Sequence, residues 1–223
     1  MGAGVANPAG RGLTVLVAVR CRRLAPAWLA LALAGAVPGP AAADPIVVSG
    51  ILFSDEDGGF TIVGGWGTGS LDDPIVIVEE FTEPRPVTLI VRGLSPDWGN
   101  RIPTNHPAGF AVRKVVVNRT GFTWSAFDHE LQIERGVPSD IYDGLSFGQG
   151  AETGRPFPSD RFGSGTMEDE PKDFLSFRDG EVQPGDTVTF QYVITATSRV
   201  DEFYIVQEPN RPIAALAIRP PGG

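Results

Sequence analysis

Thr187-Val188-Thr189-Phe190-Gln191-Tyr192-Val193-Ile194-Thr195 is the stretch that decides the fold. Val188, Phe190, Tyr192 and Ile194 alternate with Thr187, Thr189, Gln191 and Thr195, so a period-two strand turns one face to a core and the other to water. Gln183-Pro184-Gly185-Asp186 stands before it as a turn, because proline presets one backbone angle and glycine accepts positive φ. Short apolar runs between Gly, Pro, Asp and Asn predict further strands over 46–53, 60–63, 74–81, 87–92, 112–118, 124–134, 174–177, 202–207 and 213–218, and helical periodicity is nearly absent after the first 43 residues. About ten strands imply an all-β protein, an antiparallel two-sheet sandwich with immunoglobulin-like or Greek-key connections.

Three connections stand out. Asn118-Arg119-Thr120-Gly121 reads as a tight link between neighbouring strands, since Asn and Gly both accept left-handed geometry. The turn-rich segment 93–109 is placed to separate an N-terminal hairpin unit, 44–104, from the main sandwich. Residues 136–171 form a long polar stretch, and long loops in compact domains are usually functional or mobile, so a binding site is expected there or beside it.

The first 43 residues carry Arg20, Arg22 and Arg23, then an apolar run from Leu24 to Val37, then Ala41-Ala42-Ala43. That order is expected of a cleaved secretory signal peptide, and the apolar run is too short and too interrupted by proline to span a bilayer. The expected mature chain is then one β domain over 44–223, secreted or periplasmic, with no membrane insertion after cleavage. Cys21 is the only cysteine and falls in the leader, so the domain would hold no disulfide and would depend on its core. All 27 acidic residues follow Ala43, whereas only 14 of the 18 basic ones do, giving a charge near −13. Such a surface repels phosphate backbones and anionic headgroups, which argues against nucleic acid and leaves cations, neutral ligands or an extracellular surface component as partners. The excess of Arg over Lys, with abundant Ala, Gly and Pro, is a composition common in high-GC bacteria.

Asn118-Arg119-Thr120-Gly121 with Trp124 and Phe127, Asp143-Gly144-Leu145-Ser146-Phe147, Ser159-Asp160-Arg161-Phe162, Asp169-Glu170-Pro171 and the run Val182 to Phe190 together resemble a pattern in uncharacterised secreted bacterial β-sandwich proteins, over roughly residues 110–210. The resemblance implies an extracytoplasmic β domain and nothing catalytic.

Candidate chemistry is sparse. Gly144-Leu145-Ser146-Phe147-Gly148 fits a nucleophile-elbow spacing, but His106 and His129 both precede it and no alternating strand-helix pattern surrounds it, so Ser146 reads as a loop serine. Gly65-Trp66-Gly67-Thr68-Gly69 lacks the following helix of a phosphate loop and reads as a flexible turn. Calcium is the only cofactor the carboxylates suggest, at Asp55 and Asp57 with Asp72 and Asp73, at Asp140 and Asp143, or at Glu168, Asp169 and Glu170. The alternative for each cluster is a solvated acidic turn. No cysteine and two distant histidines leave zinc poorly served.

The sharpest expectation concerns the strand 124–134, where Trp124, Ala126, Asp128, Glu130 and Gln132 share one face and Phe127, His129, Leu131 and Ile133 the other. Trp124 would stack on a sugar flanked by Asp128 and Glu130, or the strand is a polar face whose Trp turns into the core. His129 is expected to be a hydrogen-bonded buried residue. Function is thus expected to be interaction with a surface, matrix or ligand by a non-enzymatic domain. The alternatives are a carbohydrate-binding or carbohydrate-hydrolysing protein and a calcium-stabilised module.

Overall fold

The computed structural model describes residues 45–148, 157–168 and 171–210. The expected leader, the expected strand 213–218, Asp169 and Glu170 lie outside the described residues. Thirteen strands and no helix occur among those that are described: β1 (Ile46–Val48), β2 (Ile51–Ser54), β3 (Phe60–Trp66), β4 (Ile75–Phe81), β5 (Val87–Leu94), β6 (Ala108–Asn118), β7 (Ala126–Glu134), β8 (Val137–Pro138), β9 (Leu145–Phe147), β10 (Phe162–Glu168), β11 (Phe174–Gly180), β12 (Thr187–Ala196) and β13 (Val200–Asn210). They form a sandwich. The larger sheet runs β1-β2-β5-β13-β7-β11-β10 with β8 paired to β7, and the smaller runs β3-β4-β6-β12-β9.

Pairing is antiparallel except between β4 and β6. The chain leaves β4 for the larger sheet as β5 and returns as β6, so these neighbours point the same way. β12 pairs along its whole length with β6, Val188 opposite Val116 and Tyr192 opposite Val112, with the alternating side chains expected from its sequence. Phe81 from β4, Phe127 from β7 and Phe190 from β12 meet between the sheets, with centroids 5.6 and 4.8 Å apart on either side of Phe127. Each such fully buried ring contributes about 1.5–3 kcal/mol through lost apolar surface. Residues of the 44–104 segment, Phe53, Phe60, Ile75 and Val91 among them, lie in the same core as Phe127 and Phe190.

The structure redraws three of the expected elements. The span 46–53 is a hairpin, because Ser49 and Gly50 both take positive φ (54° and 91°) and turn the chain between Val48 and Ile51. The 118–121 segment is a crossing between sheets rather than a hairpin turn. Asn118 is buried there, and its amide donates to the carbonyls of Phe122 at 2.9 Å and Val182 at 3.0 Å. The stretch 136–171 is not one loop, since it contains β8, β9 and β10. At the sandwich edge, Gly65 lets β1 approach β3: a Cβ there would lie 2.7 Å from Ile46 Cδ1.

Candidate functional site

β7 begins at Ala126, two residues after the expected start, and Trp124 stands outside it in an isolated bridge to Val182. The ring is fully buried against Phe81 and Phe127, with Nε1 donating to Thr120 Oγ1 at 3.1 Å. Trp124 is therefore a core residue and no platform for a sugar. The backbone between Asn118 and β7 passes from one sheet to the other, and this carries the indole inward.

Asp128 and Glu130 do project from the outer face of the larger sheet, flanked by β11 and β13. Asp128 is enclosed by donors: Ser176 Oγ at 2.8 Å, Arg178 through both guanidinium nitrogens at 2.7 and 3.1 Å, and Asn210 Nδ2 at 2.7 Å. Glu130 accepts from Gln132 Nε2 at 2.8 Å and pairs with Lys172. Glu208 lies directly across from Asp128 in the ladder and is exposed. Partial desolvation, with Asp128 and Glu130 nearby, raises its carboxyl above the usual range, against the pull of Lys172 and Arg178. The face is a matched charge lattice, not two unpaired acids facing a cleft.

The remaining candidates are occupied by the protein itself. Ser146 is in β9, paired with β12, and donates to the buried Asp173 at 2.9 Å with no elbow around it. Asp55 is buried and accepts from the Ile62 N–H at 2.8 Å, while Asp57 pairs with Arg135. Asp143 accepts from the backbone of Asp140 and Leu145 and from Ser139 Oγ, and Asp140 accepts from Tyr142 N–H. These are turn-capping carboxylates. Glu168 ends β10, opposite Phe174. No group of three His, Cys, Asp or Glu among the described residues could hold a metal ion. Gly67-Thr68-Gly69 is a turn after β3, held by Asp73.

The most perturbed chemistry lies inside the sandwich, at residues the sequence reading passed over. Lys114 on β6 and Glu79 on β4 are both at 0% exposure, with Lys114 Nζ donating to Glu79 Oε1 at 2.5 Å. Nζ also donates to Oε1 of Gln207, which reaches across from β13 in the opposite sheet and is equally buried. Burial lowers the Lys114 ammonium to about 8 against the pull of Glu79. The same burial raises Glu79, with Lys114 and the Gln207 amide acting in the other direction. His129, opposite Gln207 in the ladder, lies among Phe127, Phe177, Phe190 and Tyr192. Its pKa falls well below the ordinary value, through burial first and Lys114 second. Neither of its ring nitrogens has a hydrogen-bond partner, so it is buried but unpaired, contrary to expectation. Glu79 Oε2, Gln207 Nε2 and the Tyr192 hydroxyl are likewise unpartnered.

A shallow pocket of about 160 Å³ lies over the smaller sheet between Leu71, Pro74, Gln191 and Phe157. Tyr192 is the one titratable residue in its lining. No family model, curated protein or solved structure matches the chain.

Proposed function

We propose that the chain is an extracytoplasmic, signal-directed β-sandwich that acts by binding a surface, matrix component or soluble ligand, without turnover of that ligand. One observation carries this reading, the partition of its ionisable groups. The strongly perturbed ones, Lys114, Glu79, His129 and Tyr192, are sealed between the sheets where no ligand reaches, whereas Asp128 and Glu130 on the surface are neutralised by Arg178 and Lys172. A hydrolase needs the reverse, two acids converging on a cleft with one kept protonated.

The exposed groups suit recognition. Trp66 is 56% exposed at the end of β3, with Val63 and Leu71 also exposed nearby in sequence. An open indole on an acidic protein favours a neutral, stackable ligand such as a glycan. The test is a glycan and matrix-protein array run alongside chromogenic glycosides, comparing the wild type with Trp66→Ala and Asp128→Asn. Binding that falls about tenfold in Trp66→Ala, with no hydrolysis by any variant, is the expected result. Hydrolysis that disappears in Asp128→Asn would assign the site to an enzyme instead.

A further inference from the structure

Lys114, Glu79 and Gln207 combine, in one fully buried place, a nucleophile, a proton carrier and an acyl group with a leaving amine. We propose that Lys114 and Gln207 join covalently in the folded protein, forming an Nε-(γ-glutamyl)lysine amide that ties β6 of one sheet to β13 of the other, with Glu79 moving the protons.

The geometry comes first. Lys114 Nζ is in hydrogen-bond contact with both the Glu79 carboxylate and the Gln207 carbonyl oxygen, and the carbon it must attack is one bond beyond that oxygen. Holding reactants at contact distance removes much of the entropy cost of their encounter. Gln207 Nε2, the leaving group, makes no well-formed hydrogen bond, and its amide lies near enough to the Glu79 carboxylate to act on it. Ile77 and Phe190 flank Lys114 in the ladder, and His129 lies opposite Gln207. These walls exclude the water that would hydrolyse an intermediate.

Protonation follows from burial. Desolvation acts against the charged form of both partners, lowering the lysine and raising the glutamic acid, so the cost of moving a proton from Nζ to Glu79 is less than in water. The neutral amine then attacks Cδ of Gln207 while the Glu79 carboxyl supports the developing charge on Oε1. Glu79, already carrying the first proton from Nζ, gives it to Nε2 and then takes up the second proton that Nζ sheds on bonding to Cδ, so it ends as the neutral acid. The Cδ–Nε2 bond breaks and ammonia leaves. One carbon–nitrogen bond is made and one is broken, nothing is oxidised or reduced, and no co-reactant is needed. The product has no buried ammonium, so the reaction removes the least favourable charge in the core.

The experiment is the intact mass of the purified folded protein under denaturing conditions, followed by proteolysis and sequencing of any branched peptide. The expected wild-type mass is short by one ammonia, with a branched peptide joining the segments around Lys114 and Gln207. Lys114→Arg, which offers no attacking amine, and Glu79→Gln, which cannot carry the proton, are expected at full mass. A wild type at full sequence mass overturns the proposal, and that measurement needs no variant to fold. An ammonia loss traced to any other residue also overturns it, and ammonia loss in Glu79→Gln overturns the role given to Glu79.

Discussion

The outer face around Asp128 and the interior around Lys114 are built from the same chemistry, a carboxylate, a cation and a side-chain amide, yet they are satisfied very differently. Asp128 stands at the edge of water and has protein donors on each side. Lys114, shut off from bulk solvent, has two acceptors, and the groups beside it keep orphaned atoms at Glu79 Oε2, Gln207 Nε2 and both nitrogens of His129. Burial magnifies the cost of each missing partner by about 1–3 kcal/mol. The same three kinds of group are therefore saturated with protein partners on the outer face and left short of them in the core.

The largest expected effect breaks the interior. Lys114→Met removes both the amine that pairs with Glu79 and the cross-link it would form, and should cost at least about 3–5 kcal/mol, read from the urea midpoint. The double variant Glu79→Leu/Lys114→Met sharpens the comparison, because an ordinary buried pair replaced by apolar side chains returns to near wild-type stability. A cross-link closing the 93-residue separation between Lys114 and Gln207 contributes about 4–5 kcal/mol by the chain-entropy argument, so in the cross-linked protein the double variant should stay that far below wild type. Full recovery would place the interior alongside any structural ion pair.

Next in size is the outer face. Asp128→Ala should cost about 1–3 kcal/mol by stranding Arg178, Ser176 and Asn210, as measured by chemical denaturation, since hydrogen bonds to a charged group are the stronger kind. His129→Phe works in the other direction. The folded protein keeps His129 neutral, so below about pH 6.5 the unfolded chain takes up a proton that the folded one refuses, and stability falls as the pH drops. Glu79 contributes with the opposite sign, its raised pKa favouring the fold less as pH rises above 4.5. Comparing wild type with His129→Phe across pH 5 to 7 isolates the histidine. The variant should be about 1 kcal/mol more stable at neutrality, from the removal of unpaired nitrogens, and should lose part of the acid slope. The smallest effect belongs to Arg199→Ala, whose partners Asp97 and Asp201 are largely in water, and a change within about 0.5 kcal/mol is expected.

The β class was readable because strands such as β12 keep strict alternation, and a half-buried sheet needs nothing more. The hairpin at Ser49-Gly50 carried a signal, a Ser-Gly pair between β-branched residues, that an uninterrupted strand from 46 to 53 overrides. β10 had none, for Phe162-Gly163-Ser164-Gly165-Thr166 offers a pairing backbone but no apolar face. The inward turn of Trp124 depended on the passage between sheets, which local periodicity does not encode. For the interior cluster half of the information was present. Lys114 shares its parity with Val112 and Val116, Glu79 with Ile77 and Phe81, and Gln207 with Phe203 and Ile205, so each is a polar residue on a core-facing register. That the three converge is a property of the sheet order, and no strand announces its partner across a sandwich.

β13 is the final strand of the described chain, yet it lies in the middle of the larger sheet, between β5 and β7. Synthesis therefore delivers the central strand after its neighbours, and until it arrives β5 and β7 each present a bare edge lined by unpaired amides. Such edges recruit other chains, and long-range pairings of this kind form slowly. The molecule is most exposed to aggregation during the interval before Val200–Asn210 inserts, which makes that strand the place where folding yield, rather than final stability, is decided.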